Sequence, residues 1–212
     1  MRVALLCLLL LAGSALPSPA RADAPGILVL GDSLSAGYGL KAGEGWVDLL
    51  QRRLADRGYP HRVVNASITG DTTRGGLARL PRALTIHDPS ILIIELGGND
   101  GLRGIPVDEF RGNLERMIEL GEAAGAEVVV AGIRLPPNYG PGYSKKFQDA
   151  QAAAASNVAF VPFILEGVAL EPGMMQADGI HPTAAAQPRM LENVWEALGP
   201  LVGAEAAPTR AD

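Results

Sequence analysis

The chain has 212 residues, 18 basic against 23 acidic side chains, a net charge of −5, one cysteine and three histidines. An acidic balance with no Lys/Arg run excludes nucleic acid and an anionic membrane surface as expected partners. His61, His87 and His181 lie far apart, with no His/Cys/Asp cluster at ligand spacing, so no metal is expected.

Residues 1–22 read as a secretory signal. Arg2 supplies the positive start, Val3–Ala12 the apolar core and Ala20–Arg21–Ala22 a small-x-small cleavage site. The apolar part is too short to span a bilayer, and stable membrane insertion is not expected. Cleavage after Ala22 removes Cys7, so the mature chain has no disulfide, and it loses Arg2 and Arg21 and becomes more acidic. The protein is expected to be exported to a periplasm or beyond. One domain is expected over 23–202, as a monomer, followed by a flexible tail at 203–212.

Two periods then alternate. Apolar runs at Ile27–Leu30, Val63–Asn65, Ile91–Leu96, Val128–Ile133 and Val158–Val161 are rich in Val, Ile and Leu. They predict strands buried on both faces of a parallel sheet. Helical stripes fall between them. Trp46, Val47, Leu50 and Leu54 share one face and stop at Gly58. Leu77, Leu80 and Leu84 mark a second segment that Pro81 is expected to split or kink. Pro106 opens a third, with Phe110, Leu114, Met117 and Ile118 as its stripe and Gly125 at its end. A weaker segment covers Ser144–Ala155. The last runs from about Thr183 to Leu198, with Pro188 acceptable only in the first turn. This alternation predicts a single three-layer α/β/α domain with a doubly wound, flavodoxin-like parallel sheet, order 2-1-3-4-5.

In such sheets, sites form beyond the carboxyl ends of the strands, where strand order reverses. The unusual residues of this chain fall there. Gly31–Asp32–Ser33 follows the first strand and breaks into small residues before any helix is expected, which would leave the Ser33 hydroxyl exposed. Asn65–Ala66–Ser67–Ile68–Thr69–Gly70–Asp71 follows the second strand and Gly97–Gly98–Asn99–Asp100 the third. Asp178–Gly179–Ile180–His181–Pro182 lies beyond the fifth. Order 2-1-3-4-5 flanks Ser33 with Gly70 on one side and Asn99 on the other. Three donors then converge on an oxyanion: the N–H groups of Ser33 and Gly70 and the amide of Asn99. Asp178 and His181, three residues apart in a Gly/Pro-bounded loop, can meet through a single turn. That makes Ser33 the candidate nucleophile, His181 its base and Asp178 the residue orienting the base. His61 and His87 are expected to be structural or surface residues. Asp32, Asp71 and Asp100 are read as braces of their loops, and Ser35 as a supporting serine. No G-x-S-x-G elbow occurs, which speaks against the α/β-hydrolase fold.

Together these blocks resemble the four blocks of the SGNH (GDSL) hydrolase superfamily: Gly31–Asp32–Ser33–Leu34, Gly70, Gly97-x-Asn99–Asp100 and Asp178-x-x-His181. Gly75–Pro81, Glu95–Gly104 and Ile133–Gly140 resemble its exported thioesterase I, arylesterase and lysophospholipase branch, and the likeness covers Gly26–Leu198. The resemblance implies hydrolysis of acyl esters and thioesters, with no cofactor and with a small acyl-ester, thioester or lysolipid substrate. Two loops are expected to shape substrate choice: Gly101–Pro106 as a mobile flap and Leu135–Gly140 as the wall opposite it. Leu34, Leu102, Ile105, Leu135, Pro136 and Tyr139 are the candidate substrate contacts. A carbohydrate acetylesterase on the same scaffold, or an exported binding module without catalysis, is the alternative.

Overall fold

The five apolar runs form the five strands of one parallel sheet in the computed structural model, which describes residues 24–205. The expected signal segment, and the end of the expected tail, lie outside the described residues. The strands are β1 (Gly26–Gly31), β2 (Arg62–Asn65), β3 (Ile91–Glu95), β4 (Glu127–Ala131) and β5 (Ala159–Val161), in the order β2-β1-β3-β4-β5. Register pairs Val29 with Asn65 and Gly31 with Glu95, so the ends of β1, β2 and β3 lie side by side.

Alternation along β1 sends Ile27 and Val29 to one face and Leu28 and Leu30 to the other. On the first face lie α2 (Trp46–Asp56) and α7 (Gln187–Glu205). On the second lie α3 (Thr73–His87), α5 (Val107–Ala123) and α6 (Pro141–Ala154). The expected stripes are the buried ones: Trp46, Val47, Leu50 and Leu54 in α2, and Phe110, Leu114, Met117 and Ile118 in α5. Two short helices, α1 (Ser33–Ala36) and α4 (Gly98–Leu102), sit directly after β1 and β3.

The structure departs from the sequence pattern at several places. Pro81 does not split its helix: α3 runs unbroken from Thr73 to His87. Pro81 is exposed, whereas Gly76, Leu80 and Leu84 are buried on both sides of it, so packing holds the two halves in line. Helix α1 starts at Ser33 itself, because the Asp32 side chain accepts from the Leu34 N–H and caps it at once. Strand β4 stops at Ala131. There the Gly132 N–H donates to Val161 O, and a Cβ would lie 2.7 Å from that oxygen, so the chain turns away. Pro188 is the second residue of α7, where it removes no helical bond. Helix α7 extends to Glu205, past the expected start of the tail.

Candidate active site

Ser33, His181 and Asp178 form a hydrogen-bonded chain at the C-terminal edge of the sheet. His181 Nε2 lies 2.9 Å from Ser33 Oγ, and His181 Nδ1 lies 2.7 Å from Asp178 Oδ2. A carboxylate only accepts, so the neutral ring carries its proton on Nδ1 and Nε2 accepts from the serine. Asp178 is held by its own turn, where Oδ1 accepts from the N–H groups of Ile180 at 2.9 Å and His181 at 3.0 Å. The backbone bond from His181, then the bond from its ring, holds the Asp178 carboxyl down at about 2. It therefore stays ionised through any working pH. Ser33 is 8% exposed, less open than its turn composition implies.

The flanking loops stand where strand order requires. Gly70 has a φ of +80°, a conformation that turns the loop after β2 and favours glycine. The loop is braced by Arg79 of α3, which donates to Asp71 Oδ2 at 2.8 Å, to Gly31 O at 3.3 Å and to Ala66 O. Arg103 adds a bond to Gly70 O at 2.8 Å. Among the described residues, neither the Ser33 nor the Gly70 N–H donates to a protein acceptor.

Asn99 lies in α4, which enters through Gly97 at a φ of +123°. Its Nδ2 donates to Asp32 Oδ2 at 3.0 Å, which fixes the amide orientation and leaves the second N–H to be aimed elsewhere. Asp32 thus does more than cap α1. Burial pushes its carboxyl up to about 6, against the opposing pull of the Leu34 N–H and Asn99 bonds. Asp100 accepts from Thr73 N–H at 2.9 Å and Thr73 Oγ1 at 2.5 Å, joining α4 to α3. His61 is buried near β2 and His87 ends α3, both away from the chain of three.

The two expected substrate loops are not opposed. Because β3 and β4 are neighbours on the same side of β1, they meet in one continuous wall. Tyr139 Oη donates to Leu102 O at 3.1 Å, and Leu135 is buried in the core against Gly101. Leu34 is likewise buried. Leu102, Ile105, Pro136 and Tyr139 are half-buried and remain available as wall.

Four further residues carried no signal in the sequence. The Tyr38 ring lies on His181 with centroids 4.3 Å apart and 37° between planes. Gln176 Nε2 donates to Tyr38 O at 2.8 Å and Pro182 O at 3.0 Å, clamping the histidine loop to the loop after α1. Tyr38, Ile68 and Ile180 are exposed large apolar residues, each in a loop that carries a member of the site. Exposed apolar side chains near a polar site carry no helical or strand period, so they are invisible to pattern reading.

The arrangement can supply a nucleophile paired to an oriented base, with donors on both flanks, which are the parts acyl transfer uses. The chain is also similar to known hydrolases. The esterase TesA of Pseudomonas aeruginosa is 56% identical over 184 residues, 86% of this chain and 92% of the relative. The thioesterase 1/protease 1/lysophospholipase L1 of Escherichia coli is 44% identical over 183 residues, 85% and 86% of the two chains. The crystal structure of the psychrotrophic esterase EstA from Pseudoalteromonas sp., inhibited by monoethylphosphonate, superposes with a TM-score of 0.80 at 38% identity, covering 84% of this chain and 98% of that one. Residues 29–188 match the GDSL-like Lipase/Acylhydrolase family, and the chain belongs to it.

Proposed function

We propose that this protein is a serine esterase that hydrolyses acyl esters and thioesters through an acyl-enzyme on Ser33. The observation that carries this reading is the hydrogen-bonded chain Ser33–His181–Asp178 set between two loops that present donors. His181 Nε2 takes the Ser33 proton as Oγ attacks the substrate carbonyl. The resulting oxyanion is held by the N–H groups of Ser33 and Gly70 and by the Asn99 amide. Asp178 stabilises the imidazolium, and His181 then gives its proton to the leaving alcohol or thiol. Water, deprotonated by the same nitrogen, attacks the acyl-enzyme, and the acid leaves as Ser33 Oγ regains its proton.

The apolar residues around the site support an acyl group longer than acetyl. Tyr38, Ile68 and Ile180 offer exposed apolar surface, and the wall of Leu102, Ile105, Pro136 and Tyr139 adds to it. Each buried methylene of an acyl chain contributes about 0.8 kcal/mol, so kcat/KM should rise with chain length until this apolar surface is covered. The test is a series of p-nitrophenyl esters from acetate to palmitate, with acyl-CoA, lysophospholipid and acetylated xylan alongside. Cleavage is expected to peak beyond acetate and to include the thioester. Cleavage confined to acetyl groups, with release of acetate from xylan, replaces this reading by a carbohydrate acetylesterase.

Export is part of the same proposal, supported by Arg2, the apolar Val3–Ala12 and Ala20–Arg21–Ala22. Intact-mass analysis of protein recovered from its native compartment should show a chain beginning at Asp23. Retention of residues 1–22 would overturn it.

A further inference from the structure

Glu95 is a buried carboxyl for which the proposed acyl transfer has no use. It ends β3, is 0% exposed, and pairs across the sheet with Gly31. Its Oε2 accepts from Ser35 Oγ at 2.7 Å and from the Asp32 N–H at 3.4 Å. Its Oε1 has no hydrogen-bond partner among the described residues, and no cation pairs with it there. A strand end packed this tightly is ordinarily an aliphatic position.

The surroundings keep room for this carboxyl. A Cβ on Gly31 would lie 2.7 Å from Ser35 Oγ and 2.9 Å from Glu95 Oε2. Gly31 is therefore the residue whose missing side chain lets Ser35 reach Glu95. Ser35 is in turn tied to the neighbouring strand, its carbonyl accepting from Asn65 Nδ2 at 2.8 Å.

We infer that Glu95 is a positioning residue, a neutral buried carboxylic acid that holds the nucleophile turn from beneath through Ser35 and the Asp32 N–H. Asp32 extends the same support to the oxyanion side, because its Oδ2 holds the Asn99 amide. One buried group thus sets the relative placement of Ser33 and Asn99, which no bond joins directly. The role rests on Ser33 being the nucleophile.

The charge balance agrees with the geometry. Burial, then repulsion from the neighbouring Asp32 carboxylate, pushes Glu95 well above the ordinary carboxylate range. The other charged groups facing the Asp32–Glu95 pair are Asp71 and His181, with Arg79 on the Gly31 carbonyl. With Glu95 protonated, Asp32 is the only member of the pair that ionises, so the site carries one buried charge where two would repel.

Steady-state kinetics and pH profiles of Glu95→Gln, Glu95→Ala and Ser35→Ala test this. Glutamine accepts the same two bonds and carries no charge, so Glu95→Gln should keep kcat within about threefold and leave the acidic limb of the profile unmoved. Glu95→Ala should lower kcat on the order of 10- to 100-fold with KM within about twofold, the signature of misplaced reacting groups. Ser35→Ala should lower kcat by about three- to tenfold, again without moving KM. Wild-type kcat in Glu95→Ala overturns the role. Should Glu95→Ala fail to fold, wild-type kcat in Ser35→Ala overturns it instead. An acidic limb that moves down by a pH unit or more in Glu95→Gln shows that Glu95 is charged, and overturns its neutrality. Failure of the serine mechanism is distinguishable, because phosphonate labelling of Ser33 reports on that step alone.

Discussion

Ser33→Ala should lose on the order of a millionfold in kcat, the scale seen when the nucleophile of a coupled triad is removed. The variant keeps His181, Asp178 and the donors on both flanks, so residual turnover above water is expected from binding and oxyanion contacts alone. Its fold should be intact: the Ser33 side chain makes one hydrogen bond, to His181, and Asp32 still caps α1. The check is paired. Ester hydrolysis is measured with p-nitrophenyl substrates, and an organophosphonate that modifies the wild type at Ser33 must leave the variant unmodified. An active Ser33→Ala beside an inactive Ser35→Ala would move the nucleophile two residues on, against the Ser35 Oγ bond to Glu95.

Asn99→Ala should cost about 100- to 1,000-fold in kcat, the usual effect of deleting one donor from an oxyanion site. The loss should fall on kcat and kcat/KM alike, because the donor matters only once charge develops on the carbonyl oxygen. The Asn99 amide is pre-aimed by Asp32, so its contribution needs no reorganisation during the reaction. A loss below threefold would make Asn99 a turn residue of α4 and leave the oxyanion to the N–H groups of Ser33 and Gly70.

The fold was legible because parallel strands buried on both faces read as unbroken apolar runs, as Ile27–Leu30 and Ile91–Ile94 do. Strand order then brought the Ser33, Gly70 and Asn99 loops together without any knowledge of side chains. Illegible features depended on packing in three dimensions. Pro81 looked disruptive in sequence and is harmless on an exposed helix face. Leu135 looked like a substrate contact and is buried against Gly101. Glu95 falls inside the apolar run Ile91–Leu96, and only its partners Ser35 and Asp32 single it out. Tyr38 meets both His181 and Gln176 of the histidine loop across more than a hundred residues of chain, a distance that no local pattern spans.

The bond between Ser33 and His181 joins residues 148 apart in the chain. Ser33 follows the first strand, whereas His181 comes after the last one, just before α7 packs back on α2. Closing so long a loop is among the late events of folding, since its entropy must be offset by contacts already made. The strands β1, β2 and β3 can pair before the His181 loop is in place. Hydrolytic activity therefore appears only once the His181 loop has docked on Ser33, and it reports the finished fold more stringently than any measure of sheet content.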